Sequence, residues 1–293
     1  MPSAHIALLA DRGVVRVAGA DAARLLQGVI SNDVNLLDQL AAIHAGLLSP
    51  QGKILFEFFL ARSGDTFLLE TARDKAADLA KRLIMYRLRA KATITDASGE
   101  YRLLVVWGEA AVPVAPRAIL AYPDPRLPGL GVRLLQPAEA QEPEPVAERG
   151  RAVPGDWHEH RIGLGVPEGG KDYPLGDTFP HEADFDLLNG VSFSKGCFIG
   201  QEVVSRMHNR ASVRKRVVPI EADMPLTAGA AISAGKAVIG TIGSVAGRQG
   251  LAMLRLDRAA EARAKGEALS ASGVIIHVRR PPWAAGQPDW DAP

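Results

Sequence analysis

One thiol stands in a chain of 293 residues, Cys197, and a lysine precedes it by two positions in the segment Lys195-Gly-Cys-Phe-Ile-Gly-Gln-Glu202. The thiolate, not the thiol, is the nucleophile and the metal ligand, and an unperturbed cysteine loses its proton near pH ~8.5. A lysine cation and a helix N-terminus both favour the thiolate, and a helix is expected to begin near Gly200. Gly196 and Gly200 permit backbone geometries that a side chain would block. The segment therefore reads as a poised thiol at a turn, with Lys195 as its cationic neighbour. Against this stands the plainer reading of a small buried apolar side chain, which is how free cysteine commonly behaves. A lone cysteine forms no internal disulfide, which fits a reducing compartment. It also cannot build a four-thiolate zinc or iron–sulfur site by itself.

Other groups carry weaker signals. Gln201 and Glu202 either shape a pocket beside the thiol or, in the case of Glu202, simply complement the helix dipole. Arg206, Arg210, Arg214, Lys215 and Arg216 make a dense basic run that includes His208, and a second run comprises Lys81, Arg82, Arg87, Arg89 and Lys91. Such runs are usually solvated faces; the sharper reading is an anion, RNA or protein contact. Aromatic residues form only 5% of the chain and are not interleaved with the basic run, which speaks against a stacking platform for single strands. Net charge is +1, so no field over the whole surface draws in a polyanion. Direct nucleic-acid binding is not expected.

These groups need a scaffold, and the pattern of apolar residues outlines one. Val14 to Val17 reads as a strand, and Asp21 as the N-cap of a short helix through Gln27. Ile54 to Ala61 and Phe67 to Glu70 read as a hairpin around Ser63-Gly-Asp65. A helix is predicted from about Asp74 to Leu88, with Ala76, Leu79, Ala80, Leu83 and Ile84 as its buried stripe and a capping box from Thr71 to Asp74. Lys91 to Asp96 and Tyr101 to Trp107 follow as strands. Eight prolines punctuate Pro113 to Pro145, read as exposed loop with one strand at Gly131 to Gln136. From Val217 onward, short apolar runs between glycines suggest a small closed β-domain with a helix at Arg258 to Lys265. The tail after Pro281 is expected to fray, with Trp283 and Trp290 able to dock. No segment has the length and composition of a signal peptide or membrane span. With the lone cysteine, this gives the expectation of a soluble cytoplasmic protein.

The stretch KGCFIGQE, together with Pro180-His-Glu-Ala-Asp-Phe-Asp186, resembles the YgfZ family of folate-binding proteins, whose hallmark is KGC, an aromatic, one residue and GQE. Leu25-Leu-Gln-Gly-Val-Ile-Ser-Asn-Asp33, Leu48-Ser-Pro-Gln-Gly-Lys-Ile54, Tyr86-Arg-Leu-Arg-Ala-Lys91 and Gly240-Thr-Ile-Gly-Ser-Val-Ala-Gly247 extend the resemblance over most of the chain. It implies an α+β fold similar to the T-protein of the glycine cleavage system: two ferredoxin-like units around a central opening, plus a C-terminal β-barrel. The implied divisions are 1–100, 101–212 (carrying KGCFIGQE) and 213–293, with discontinuity between units allowed. It further implies tetrahydrofolate as cofactor and a role as accessory factor in iron–sulfur cluster assembly or repair, indirectly supporting enzymes that modify tRNA. Partners would be a folate, polyglutamylated or not, and iron–sulfur assembly proteins or client enzymes.

Within that resemblance Glu182 is the candidate reader of a pterin, because a carboxylate can accept two adjacent N–H groups in a bidentate pair. Asp184 and Asp186 compete with it. Asn32 and Asp33 of the first motif, with Gln201, Glu202 and Arg206, complete the expected folate-binding set, while Cys197 and Lys195 are the reactive pair. No resident metal is expected. Phe198 stands where the family often has tyrosine, and Ala211 where glycine is usual. The strand Gly52 to Phe59 lacks the T-protein's catalytic aspartate; Glu57 is displaced by a residue, which turns a strand side chain to the other face. Cleavage of an aminomethyl group is therefore doubted. A folate-dependent one-carbon transferase or demethylase, with Glu57, Glu182 or Asp33 as acid or base, remains the alternative. A protein acting directly on RNA is the third reading.

Overall fold

The computed structural model describes residues 4–108, 120–139, 150–209 and 213–287. Two compact units emerge, one from Met1–Pro50, Leu55–Trp157 and Leu188–Gln201, the other from Gln51–Ile54, His158–Leu187 and Glu202–Pro293.

The first half of the chain follows its apolar patterning. In order come β1 (His5–Leu8), β2 (Arg12–Ala18), α1 (Ala22–Val29), β3 (Ala42–Leu48), β4 (Ile54–Ser63), β5 (Thr66–Ala72), α2 (Arg73–Arg87) and β6 (Thr93–Asp96). After them run β7 (Tyr101–Trp107), β8 (Leu120–Pro123), β9 (Val132–Pro137), β10 (Gly150–Arg151) and α3 (Pro154–Gly163). They build two five-stranded sheets, ordered β3-β4-β5-β2-β6 and β10-β1-β7-β9-β8. The expected hairpin is there, Phe58 to Ser63 pairing antiparallel with Thr71 to Thr66. The helices α1 and α2 bury Leu25, Leu26, Ala76, Leu79 and Leu83 in one core with Val15, Phe58 and Leu69.

Three local expectations are corrected. Asp21 precedes α1 but makes no side-chain cap; its Oδ2 accepts the Lys91 N–H at 2.8 Å instead. Thr71 forms no capping box, because its hydroxyl donates to the Glu57 carbonyl at 2.8 Å across the hairpin. Ile84 leaves the buried stripe and is 43% exposed.

In the second unit, α4 (Gln201–Asn209) leads to β11 (Lys215–Ala222), β12 (Ala231–Ala234), β13 (Ala237–Ala246), β14 (Gln249–Arg255), α5 (Leu256–Ala264), β15 (Leu269–Ala271) and β16 (Val274–Val278). The strands close as a barrel, β11-β14-β13-β12-β15-β16. Its interior is filled by Val218, Ile220, Ile232, Ile242 and Leu254. The glycine motif of β13 has a steric cause: a Cβ at Gly243 would stand 2.8 Å from the Asp172 Cα. That close approach lets Asp172 accept from the Ser244 N–H (2.9 Å) and from Arg161 (2.6 Å). Trp283 docks as expected, donating to the Leu164 carbonyl at 2.9 Å. Arg210, Ala211 and Trp290 fall outside the described residues, as do positions 109–119 and 140–149 of the proline-rich stretch. Among the described residues no helix is long and apolar enough to cross a membrane.

Candidate functional site

The segment Leu188 to Gln201 belongs to the first unit, and the first motif holds it there. Ser31 donates to the Gly190 carbonyl at 2.6 Å and offers its own carbonyl to the Ser192 N–H at 3.0 Å. The Asn32 carboxamide donates to the His44 and Asn189 carbonyls at 2.7 and 2.8 Å and accepts from Asp33 N–H at 2.8 Å. Both of its N–H groups and one carbonyl lone pair go into main chain. Asp33 caps the short turn Val34–Asp38, accepting from Asn35 N–H and from Gln27 Nε2 at 3.0 Å each. The motif thus shapes the floor on which the cysteine segment lies.

Lys195 is the anchor of that segment. It is 7% exposed, and its ammonium donates to the carbonyls of Gln27, Ile30 and Asn32, each at 2.8 Å. Gln27 is in α1, whose last carbonyls lack helical partners, so the cation closes the helix end as well as holding the loop. The same ammonium stands 5.2 Å from the Phe198 ring centroid. Burial lowers the Lys195 ammonium to about 8, against the opposing pull of the Asp33 carboxylate. Phe198 is buried and Ile199 packs on the first unit's core, while Gly196 and Cys197 between the two anchors are exposed. Gly200 has φ +81°, a backbone state that disfavours side chains, and α4 begins at the next residue. The sulfur is therefore presented outward on a short arch pinned at both ends. It is not a buried apolar filler.

A cavity of about 610 Å³ opens in the same unit. Its walls include Leu36, Leu40, Ile43 and Phe193, with Asn32 and His44 among the polar residues. Cys197 and Lys195 are not among the lining residues. His44 is the feature that the sequence reading missed. It is 1% exposed, its Nδ1 lies 2.9 Å from the Leu188 carbonyl and its Nε2 lies 3.0 Å from Glu57 Oε1. A carbonyl only accepts, so Nδ1 donates to Leu188, and Nε2 faces the Glu57 carboxyl. The cavity wall thus contains an imidazole backed by a carboxyl group. Glu57 itself was legible as an acid; its partner lay in an ordinary apolar strand run, Ala42 to Leu48, with no spacing signal.

Asp124, the one acid among the described lining residues, is occupied. It accepts from Arg126 and from Arg133, at 2.8 and 3.0 Å on Oδ2. Burial works against its charge, yet Arg126 and then Arg133 hold the Asp124 carboxyl well below the usual carboxylate range. Arg133 continues to Glu70 on β5, which also accepts from Arg12 Nε (2.9 Å) and from the Tyr122 hydroxyl (2.7 Å). This buried ionic chain joins β2, β5, β8 and β9 behind the cavity.

Glu182 belongs to the second unit. It is half-buried, and its Oε2 accepts the Phe179 N–H at 2.9 Å, closing a one-turn helix at Pro180–Ala183. Lys53 of the second motif lies 3.4 Å above the Phe179 ring. Asp184 and Asp186 both receive Arg216, at 3.0 and 2.8 Å. Burial pushes the Asp184 carboxyl well above its ordinary value despite Arg216. Glu202 and Arg206 pair with each other at 2.9 Å on an exposed face of α4, a contact of little energetic weight. Gln201 is half-buried at the start of that helix. Among the described residues, no cluster of histidine, cysteine and carboxylates is arranged to hold a metal ion.

Residues 214–286 match the family described as CAF17, C-terminal beta-barrel domain. The chain is 35% identical over 233 residues to the mitochondrial iron-sulfur cluster assembly factor IBA57 homolog of Mycosarcoma maydis, covering 73% of this chain and 56% of that protein. It is 34% identical over 278 residues to mitochondrial iron-sulfur cluster assembly factor IBA57 of Homo sapiens, covering 84% of this chain and 76% of the human protein. The chain thus spans little more than half the length of the fungal relative. In structure it superposes on the glycine cleavage system aminomethyltransferase T from Bartonella henselae with a TM-score of 0.75 at 15% identity, over 96% of this chain and 86% of that one. The expected T-protein fold with a C-terminal barrel is therefore present. The expected cytoplasmic location is overturned, because these sequence relatives are named as mitochondrial. A lone cysteine speaks for a reducing compartment, and the cytoplasm is not the only one.

Proposed function

We propose, for a chain that belongs to the IBA57 family of iron–sulfur cluster assembly factors, that it acts as an accessory factor in cluster assembly or repair through Cys197. The observation that carries this reading is the outward sulfur on an arch pinned by Lys195 and Phe198. A single exposed thiolate supplies one ligand of the several a cluster needs, so the cluster is cargo shared with an assembly protein or client enzyme. Enzymes that modify tRNA are among the clients the YgfZ-like motif suggests.

Tetrahydrofolate is the proposed small-molecule ligand. The cavity's volume of about 610 Å³ and its apolar walls suit a flat pterin with a benzoyl extension. Leu36, Ile43 and Phe193 would hold the ring by contact, and the Ser192 and Ser194 hydroxyls would supply polar bonds. When bound, tetrahydrofolate carries one-carbon units. Asp124 is engaged by its two arginines. Glu182, to which the resemblance points, is the proposed reader of a pterin. Titration calorimetry with tetrahydrofolate tests this, Glu182→Ala weakening binding by about tenfold or more. Cys197→Ser should retain that affinity while losing the ability to restore an iron–sulfur client enzyme. Full restoration by Cys197→Ser would remove the thiol from the mechanism.

The His44–Glu57 pair favours a second reading, a folate-dependent one-carbon transferase or demethylase. With its imidazole at the cavity wall, the pair would supply an acid or base. Turnover of methylene- or formyl-tetrahydrofolate that disappears in Glu57→Gln would establish it; binding without turnover leaves the accessory role.

A further inference from the structure

The end of α2 carries a surface that neither the thiol nor the cavity uses. Ile84 and Met85 in its last turn are 43% and 64% exposed, and Leu88, the residue just past the helix, is 86% exposed. Leu88 has φ +46°, a conformation costly for a residue with a Cβ, and it carries its side chain almost wholly into solvent. Beside it opens a groove of about 640 Å³ formed by α1 and the end of α2. Leu25, Val29 and Tyr86 give it apolar walls, and Arg24, Arg87 and Arg89 give it cations. It shares no lining residue with the folate-sized cavity.

The charges are one-sided. Asp21 is the sole acid among the described lining residues, and its Oδ2 already accepts the Lys91 N–H. Arg24 and Arg89 have no ion-pair partner among the described residues. Arg82 continues the positive face along α2, whereas Lys81 beside it pairs with Asp78 at 3.8 Å. Guanidinium groups bind carboxylates in a fork geometry, and arginine beside exposed leucine and methionine is the composition of a protein interface. A nucleic acid would meet the cations but gain nothing from an aliphatic floor, and only Tyr86 is available for stacking.

We propose that the groove between α1 and the end of α2 is a docking site for an acidic, leucine-bearing segment of a protein partner. The partner's aliphatic side chains cover Leu25, Val29 and Leu88, and its carboxylates engage Arg24 and Arg89.

Gly28 provides a direct test. A Cβ built there meets nothing within 4 Å, so a large side chain at this position enters the groove without striking the core. The probe is a fluorescein-labelled synthetic helix of about 18 residues with leucines at helical spacing and glutamates elsewhere. Binding is read by anisotropy on the full chain, with a lysine-for-glutamate peptide and a single-stranded RNA of similar length as comparisons. The acidic peptide should bind, the basic one should not, and Gly28→Trp should weaken binding about tenfold or more. The double variant Arg24→Glu with Arg89→Glu, and Leu88→Ser on its own, should do the same; they carry the test should Gly28→Trp fail to fold by circular dichroism. The proposal is overturned if the acidic peptide does not bind. It is equally overturned if binding survives these substitutions, or if only the RNA binds and loses affinity in the arginine variant alone.

Discussion

At the level of single residues, Lys195 departs most from what its sequence position suggests. Two residues from the only thiol, it reads as a cation placed to favour the thiolate, yet its ammonium is enclosed by three carbonyls of the first motif. Nothing in the local sequence announces those acceptors, because Gln27, Ile30 and Asn32 contribute main-chain atoms and lie some 165 positions away. Replacing Lys195 by methionine leaves three acceptors without their donor and frees the arch. We expect a loss of about 2–4 kcal/mol in urea unfolding and faster alkylation of Cys197 by iodoacetamide. The pH dependence has a definite sign. In the unfolded chain a lysine keeps its proton to about pH 10.4, whereas the folded Lys195 releases it near about 8. Between these values the unfolded state binds more protons, so the contribution of Lys195 to stability rises with pH. Local opening follows the same sign, because an opened segment returns Lys195 to water and to the ordinary lysine value. Amide exchange of residues 194–198 should therefore rise less above pH ~8 than base catalysis alone predicts, and Lys195→Met should remove that shortfall.

Among the elements, most of the longer ones were legible, β3 (Ala42–Leu48) excepted, and several of the shorter ones were not. The hairpin of β4 and β5, the helix α2 and the strands β7, β11, β13 and β14 carry continuous or periodic apolar runs. By contrast β8 is Leu-Ala-Tyr-Pro and β15 only Leu-Ser-Ala, too brief to separate from loop, and β12 is Ala-Ile-Ser-Ala. Their pairing comes from neighbours. Ile84 was misread for a related reason: helical spacing identifies a stripe but not where the opposing core ends. The buried ionic chain around Glu70 was invisible as well, because its members come from four strands. Glu70 is 1% exposed, and although burial works against its charge, Arg133 and then Arg12 hold its carboxyl below the usual range. Glu70→Gln leaves Arg12 and Arg133 without their shared partner and should cost about 3–5 kcal/mol in chemical unfolding. A depressed folded pKa gives stability that is fully present above the unfolded value of about 4.3 and is lost as pH falls below it. Asp124 acts in the same direction. Wild-type thermal stability should thus drop steeply below about pH 4, and Glu70→Gln should show a shallower acid limb; equal slopes would refute the network as its source.

For the whole molecule, the fold persists where sequence does not: 15% identity to the aminomethyltransferase accompanies a TM-score of 0.75. What remained readable was a set of short motifs, and their geometry explains why they suffice. Ser31 and Asn32 grip the cysteine segment, Lys195 closes the helix before them, and Gly243 lets a barrel strand approach Asp172. Each fixes a long-range contact that few other residue types could make. The rest of the chain has only to supply apolar filling, which many sequences do. One consequence belongs to the molecule as a unit. The full sequence has a single cysteine, and no metal-binding group of histidine, cysteine and carboxylates exists among the described residues. A cluster bound through Cys197 must therefore complete its ligand shell from outside the chain. Anaerobic incubation with ferric iron and sulfide should leave the isolated protein without stoichiometric cluster absorbance in the visible range. Adding glutathione as a co-ligand should produce that absorbance, and Cys197→Ser should not respond. A stable cluster assembled on the chain without any added thiol would mean that other residues ligate iron, and the carrier role assigned to the exposed sulfur would have to be given up.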